Sequence, residues 1–304
     1  MTGTVVTPGN YDGVHLGHQA LVKRARTIAE RTGAEPAAMF FDPRPVEVLA
    51  KERAQPALTT TERRRELLLR SGASQVLVKR FDEAFAALSA EAFVQQILVE
   101  QHQAEAVVVG PDFRFGQNRS GTVETLKNLG GVFGFKVDVL SPVNLDHQRI
   151  SSTLVRQKLR EGDVATAASL LGHVHDIDGE VITGAMRGRT IGFPTANLRL
   201  PEVMVPADGV YAVVARLIDE SILRPGIANL GVRPTVDGGR SFEVHLFDFS
   251  AEIYDQVLRV GFVSRIRSEI QFSGLDALRK QIVLDVQQAR LDLGVVSQDW
   301  LRWL

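Results

Sequence analysis

The passage that most constrains the fold is Val5-Val6-Thr7-Pro8-Gly9-Asn10-Tyr11-Asp12-Gly13-Val14-His15-Leu16-Gly17-His18. A short β-branched run stops at a glycine-broken turn. A helix follows, with apolar positions at Leu16, Ala20, Leu21, Ala25 and Ile28. Strands that feed helices through tight turns build parallel sheets, and open sheets of this kind bind ligands at the carboxyl ends of their strands. Residues three apart on a helix share a face, so His15 and His18 can point into one crevice there. Gly17 removes a side chain between them, and the helix N-terminus offers N–H groups to an anion. Zinc is disfavoured, because it takes about three or four protein ligands and the chain has no cysteine. The pattern therefore reads as a nucleotide-phosphate site, with Gly9 and Gly17 as nucleotide-binding positions.

A chain of 304 residues suits two domains better than one core. The net charge of −1 argues against a general nucleic-acid binder. Without cysteine there is neither a disulfide framework nor a thiol nucleophile, which fits a reducing compartment. No apolar run is long enough to cross a bilayer, and no cationic, apolar leader is visible. The expectation is a cytoplasmic protein with no membrane and no nucleic-acid partner; self-association is left open.

Residues 4 to about 140 alternate strand and helix signals. Strands are expected at 37–41, 75–78, 106–110 and 136–140, with helices from Glu62, Glu91 and Thr122. This is the pattern of an N-terminal doubly wound parallel sheet, here assigned to residues 1–173. Thr59-Thr60-Thr61-Glu62 has capping-box spacing, and the Arg63-Arg64-Arg65 run after it reads as a solvated face. Two prolines fix Arg44 between them. The loop from Pro111 carries Asp112, Phe113 and Phe115; the aromatics are either core residues or a stacking surface for a planar ring. Ser152, Thr153 and Arg156 at a helix start make a second anion cradle.

Beyond His173 the helices give way to short, regularly spaced strands, which suggest a small β-barrel over residues 177–304. A final helix with Leu278, Ile282, Val286, Ala289 and Leu293 on one face is expected to seal it. In the strand from Ser241, Phe242, Val244 and Leu246 share one face, leaving Glu243 and His245 on the other. A carboxylate on a rigid strand suits a general base for a substrate hydroxyl. Thr195 and Asn197 present two neutral oxygens, which suit Mg²⁺ already held mostly by nucleotide phosphates.

Taken in order, these motifs resemble the bacterial bifunctional riboflavin kinase/FMN adenylyltransferase (FAD synthetase) family over nearly the whole chain. The likeness rests on Gly9 through His18, Gly110-Pro111-Asp112-Phe113-Arg114-Phe115-Gly116, Ile150 through Arg156, Gly192-Phe193-Pro194-Thr195-Ala196-Asn197-Leu198, Gly209-Val210-Tyr211-Ala212, the Asn229–Thr235 segment and Glu243-Val244-His245-Leu246. The resemblance implies a nucleotidyltransferase domain followed by a kinase barrel, with riboflavin, FMN and ATP as substrates and Mg²⁺ as cofactor. It implies that Glu243, His15 and His18 are catalytic and that Thr195 and Asn197 lie at the metal. Arg149, Ser152, Thr153, Arg156, Gly184, Arg189, Gly192 and Pro194 would hold nucleotide, and Asp112, Phe113 and Arg267 the flavin. Two positions depart from the family pattern: Arg44 replaces a histidine, and Asp255 replaces a glycine. Arg44 is expected to project towards the histidine crevice as a permanent phosphate contact. The alternatives are a flavin-binding protein with one degenerate module and an enzyme like the class I aminoacyl-tRNA synthetases. The latter lacks support, because no Lys-Met-Ser-Lys-Ser-like loop is present.

Overall fold

The computed structural model describes residues 3–184, 192–232 and 240–304. The chain divides into two compact units, Met1–Pro56 with Thr60–Ser151 and Ala57–Thr59 with Ser152–Leu304. This division falls earlier than the functional boundary expected near 173.

In the first unit, β1 (Thr4–Pro8), β2 (Glu35–Asp42), β3 (Gln75–Arg80), β4 (Ala104–Val109) and β5 (Lys136–Val139) form a five-stranded sheet in the order β3-β2-β1-β4-β5. Every pair is parallel. The chain moves outward from β1 through β2 and β3, then returns to the other side of β1 for β4 and β5. The order reverses between β1 and β4, which is where such sheets open a crevice. Adjacent strand residues point to opposite faces. Val5 therefore packs with Ala25 and Ala29 of α1 (Leu16–Thr32), while Val6 joins Met39, Val107, Phe93, Leu98 and Leu126. Both faces are covered, and the near-continuous apolar strands follow from that. The helix expected from Glu91 is a short α-turn, Ala90–Ala92, that continues with π geometry over Phe93–Gln101.

After the five-residue helix α2 (Pro45–Leu49), α3 (Thr61–Arg70) begins at Thr60, whose Oγ1 accepts from the Arg63 N–H at 3.1 Å. The cap is thus Thr60 rather than Thr59. The arginine run after it is not a solvated face: Arg63 and Arg64 are only 3% and 2% exposed, and only Arg65 faces solvent. The reason is helical period, since Arg64 lies three and four residues before the buried Leu67 and Leu68. A small hairpin of β6 (Asn144–Leu145) and β7 (Gln148–Arg149) ends the unit.

The second unit starts with helices Ser152–Glu161 and Val164–Leu171. Six antiparallel strands follow: β8 (His175–Ile182), β9 (Ala196–Arg199), β10 (Gly209–Leu217), β11 (Arg224–Val232), β12 (Arg240–Leu246) and β13 (Val257–Arg267). They close into a barrel in the order β10-β11-β12-β9-β8-β13, with β13 also pairing β10. Phe242 stacks on Phe262 in its core, and Tyr211 meets Phe262 edge-on. The helix Leu275–Gly294 buries Ala289 against Ala212, Ile227 and Phe247, with Ile282, Val286 and Leu293 alongside. It covers a wall already closed by strand pairing rather than an open side. Asp255, in the turn before β13, has φ 61°, the left-handed region where glycine is at ease.

Candidate active sites

The first site is built by the turn that leaves β1. The Gly9 N–H donates to Met39 O at 2.9 Å, and a Cβ on Gly9 would come within 3.0 Å of the Tyr11 ring. The Tyr11 ring is fully buried, and its hydroxyl donates to Thr7 O at 2.9 Å. The turn is held in an unusual backbone: Tyr11, Gly13 and Val14 have φ of 51°, 81° and 40°. A positive φ at a β-branched valine is a strained conformation that its surroundings must maintain.

This turn delivers His15 as the N-cap of α1, where its Nδ1 accepts from the His18 N–H at 3.4 Å. The two rings stack with centroids 3.6 Å apart and planes 13° apart. A Cβ on Gly17 would lie 3.2 Å from the His15 ring, so this glycine makes room for the imidazole. Burial first, then the charges of His15 and Arg64, push His18 well below the ordinary histidine value. His18 is consequently neutral at pH 7. The pair can donate hydrogen bonds to phosphate oxygens at the N-terminus of α1, where the helix dipole favours an anion.

Arg44 does not stand open to a phosphate, as the sequence suggested. It is 7% exposed, with Nη1 donating to Asp12 Oδ2 at 3.1 Å and Nη2 donating to Glu47 Oε1 and Gln55 O, both at 2.6 Å. Both terminal nitrogens are engaged, because α2 brings Glu47 back over the Arg44 backbone, where it also accepts from the Arg44 N–H at 2.7 Å. Arg44 is thus a strut between that helix and the histidine turn. Arg64 reaches the other oxygen of Asp12, 3.6 Å away, and lies over the Phe40 ring at 4.9 Å. Asp12 and Arg64 escaped the site reading. The three- and four-residue spacing to Leu67 and Leu68 was the signal that could have found Arg64.

Beyond β4, Asp112 and Arg149 form an ion pair with both side chains largely exposed. Phe115 is core at 6% exposure, and Phe113 stacks on it with centroids 5.5 Å apart. The choice between core and stacking surface is thereby divided: Phe115 is core, and the half-buried Phe113 retains an accessible part. Ser152, Thr153 and Arg156 belong to the second compact unit, at the start of the helix Ser152–Glu161, and Arg156 is 7% exposed.

The second site lies across three strands of the barrel. Glu243 of β12 is directly opposite Asn229 of β11 on one side and Asn197 of β9 on the other. Residues opposite each other share a face, so three polar side chains form one row. The Ser241 hydroxyl donates to Glu243 Oε1 at 3.2 Å. Asn229 and Ser241 were not among the expected site residues; Asn229 lay within a quoted motif but could be placed only by strand register. A Cβ on Gly184 would fall 2.1 Å from Asn197 Nδ2, so that glycine lets the chain pass close to Asn197. His245, two residues from Glu243, donates from Nδ1 to Pro194 O at 2.7 Å and anchors the Pro194-Thr195 approach to β9. Gly192 has φ 87°. Arg189 lies outside the described residues. Arg267 is held by Asp285 of the final helix, with Nη2 donating at 2.8 Å, and lies over the Phe272 ring at 5.6 Å.

Among the described residues no group of three or more His, Cys, Asp or Glu could hold a metal ion. The neutral oxygens of Thr195 and Asn197 instead suit a hard cation whose other ligands are phosphates and water. No described helix is long and apolar enough to cross a membrane.

The FAD synthetase family model matches residues 1–154, and the riboflavin kinase model matches residues 171–293. A curated bifunctional riboflavin kinase/FMN adenylyltransferase from Escherichia coli (strain K12) is 41% identical over 296 residues, covering 97% of this chain and 94% of that protein. Its counterpart from Haemophilus influenzae is 40% identical over 291 residues, covering 95% and 94%. A crystal structure from Streptococcus pneumoniae, described as a macrolide-efflux protein, superposes with a TM-score of 0.86 at 34% identity, covering 95% of this chain and 94% of that one.

Proposed function

Since this chain belongs to the bifunctional riboflavin kinase/FMN adenylyltransferase family, we propose that residues 177–304 phosphorylate riboflavin and residues 1–173 adenylylate the product. The chain is an enzyme with both activities: riboflavin and ATP give FMN and ADP, then FMN and a second ATP give FAD and pyrophosphate. The family matches over residues 171–293 and 1–154 support this assignment of the two reactions.

In the kinase reaction Glu243 takes the proton of the riboflavin 5′-hydroxyl as its oxygen attacks the γ-phosphorus and the bond to ADP breaks. The row Asn229-Glu243-Asn197 carries this reading, because it fixes a carboxylate between two neutral amides on adjoining strands. Thr195 and Asn197 would hold Mg²⁺ against the nucleotide phosphates, where the ion supplies charge neutralisation. Gly184, Gly192 and Pro194 serve the ATP side, and Arg189, outside the described residues, keeps the nucleotide-binding role that the family resemblance implies. Arg267 serves the flavin side by ordering the segment that carries Phe272.

In the adenylyl transfer an FMN phosphate oxygen attacks the α-phosphorus of ATP and pyrophosphate leaves. His15 and His18 donate hydrogen bonds to oxygens that gain charge, with Gly9 and Gly17 keeping the turn clear. Such chemistry relies on positioning and electrostatics rather than on a covalent nucleophile. Ser152, Thr153, Arg156 and Arg149 bind the pyrophosphate portion, and Asp112 and Phe113 the flavin. The ligands are small molecules in a cytoplasmic setting. The net charge of −1 supports no role with nucleic acid.

Chromatography of flavins after incubation with MgATP tests the division. Glu243→Gln should stop FMN formation from riboflavin yet leave FMN-to-FAD conversion intact. His15→Ala with His18→Ala should do the reverse, each loss exceeding about a hundredfold. Equal damage to both reactions by either variant, in a folded chain, overturns the two-site assignment.

A further inference from the structure

The buried cluster behind the histidine turn has a feature that adenylyl transfer does not by itself require. Two arginines from different elements hold one carboxylate. Arg44 contacts Asp12 Oδ2 at 3.1 Å, and Arg64 of α3 approaches Asp12 Oδ1 at 3.6 Å, with all three side chains under 10% exposed. Asp12 sits between Tyr11 and Val14, the non-glycine residues of the turn that have positive φ. Two buried guanidinium groups are costly to desolvate, and packed apolar side chains usually stabilise a core equally well. Their presence here coincides with the one backbone segment whose strain must be held for the imidazoles to stack.

We propose that Arg64 is a positioning residue for adenylyl transfer, gripping Asp12 from the oxygen opposite Arg44 so that the turn presents His15 and His18 in one arrangement. The inference rests on the assignment of the histidine pair to that reaction. Arg64 touches no reacting atom: its guanidinium is buried over Phe40, and among the described residues its Nε and Nη1 have no hydrogen-bond partner. It acts through Asp12 and through its charge beside His18. The rings against His18 are the His15 imidazole at 3.6 Å and the Tyr11 ring at 5.1 Å, and the charges that act on it are those of His15 and Arg64. Behind Arg64 stand Asp12, Arg44, Asp42 and Glu47. Burial and His15 act first to keep the His18 imidazole neutral, and the positive charge of Arg64 adds to them in opposing its protonation.

The test compares Arg64→Lys with Arg64→Met in the full chain. Riboflavin phosphorylation serves as the internal control for a folded, active protein. If Arg64 were only packing over Phe40, methionine would serve at least as well as lysine. If its charge grips Asp12, Arg64→Met loses about a hundredfold in FMN adenylylation, the effect of a misplaced catalytic group, while Arg64→Lys recovers most of it. Histidine NMR titration gives a readout independent of turnover: the His18 midpoint should rise in Arg64→Met and stay low in Arg64→Lys. Equal adenylylation in the two variants, or an unmoved His18 midpoint, overturns the proposal. Should Arg64→Met not fold, Asp12→Asn reads the same grip, and unchanged adenylylation in that variant overturns it too. The His15→Ala/His18→Ala variant separates the two levels: if it still makes FAD, the histidine assignment fails rather than the role of Arg64.

Discussion

Asn197 lies directly across from Glu243, and its amide occupies the space that a side chain on Gly184 would need: a Cβ there falls 2.1 Å from Nδ2 and 2.4 Å from Cγ. Asn197 is only 8% exposed, so it cannot swing aside freely. Gly184→Ala should therefore displace Asn197 and lower riboflavin phosphorylation by about tenfold or more, with FMN adenylylation unchanged. Parallel assays of the two reactions on one preparation check this. A fully active Gly184→Ala chain would show that Asn197 tolerates displacement.

Arg44→Ala leaves Asp12 and Glu47 without their principal counter-charge. Breaking a buried pair costs about 3–5 kcal/mol when the remaining charge is left alone, and with Arg64 still beside Asp12 the loss should fall at the lower end of that range. Urea unfolding followed through the first unit should show that loss, with little change in KM for ATP in the protein that remains folded. Unchanged stability combined with a raised KM would instead restore Arg44 as a phosphate contact.

His18 gives the first unit a specific pH dependence. Its folded pKa is depressed, so between that value and the unfolded value of about 6.5 the unfolded chain binds the extra proton. The contribution is fully present above about pH 6.5 and declines as pH falls below it, by at most about 1.4 kcal/mol per pH unit. Calorimetry from pH 7.5 to about 5 should show the first-unit transition moving down, and His18→Gln should flatten that slope. A wild-type slope identical to that of His18→Gln contradicts the buried neutral imidazole.

Asp255 holds φ 61° while its N–H donates to Val181 O at 2.9 Å. A glycine keeps that bond and removes the left-handed penalty, which is about 1–2 kcal/mol and is partly offset by the greater entropy of glycine when unfolded. Asp255→Gly should stabilise the barrel by roughly 0.5–1 kcal/mol in denaturant titration without changing kinase turnover. A destabilised variant would mean that the carboxylate itself carries a contact worth more than the strain.

The parallel sheet was legible because Val5-Val6 and Ala106-Val107-Val108-Val109 are β-branched or apolar runs buried on both faces. The barrel strands showed themselves through the alternation of Phe242, Val244 and Leu246 about Glu243. What escaped was whatever depends on a distant partner. Arg63-Arg64-Arg65 looks solvated because three like charges mask the face that Arg64 shares with Leu67 and Leu68. Arg44 looks presented to a ligand, since nothing in its flanking prolines reveals that Asp12 and Gln55 converge on it. Arg267 meets Asp285 from a helix 18 residues further along the chain. Asn229 could join Glu243 only once the register of β11 with β12 was known.

The row Asn229-Glu243-Asn197 belongs to a barrel whose strand pairing runs around the full circle. A strand in an open sheet can slip at its edge, whereas a closed ring offers no free end: moving β12 along its axis breaks its ladders with β11 and β9 together. The base can therefore be lost with the fold but not slid out of line within it. Substitutions elsewhere in the barrel wall should scale kinase activity with the fraction of molecules folded, leaving the turnover of each folded molecule the same.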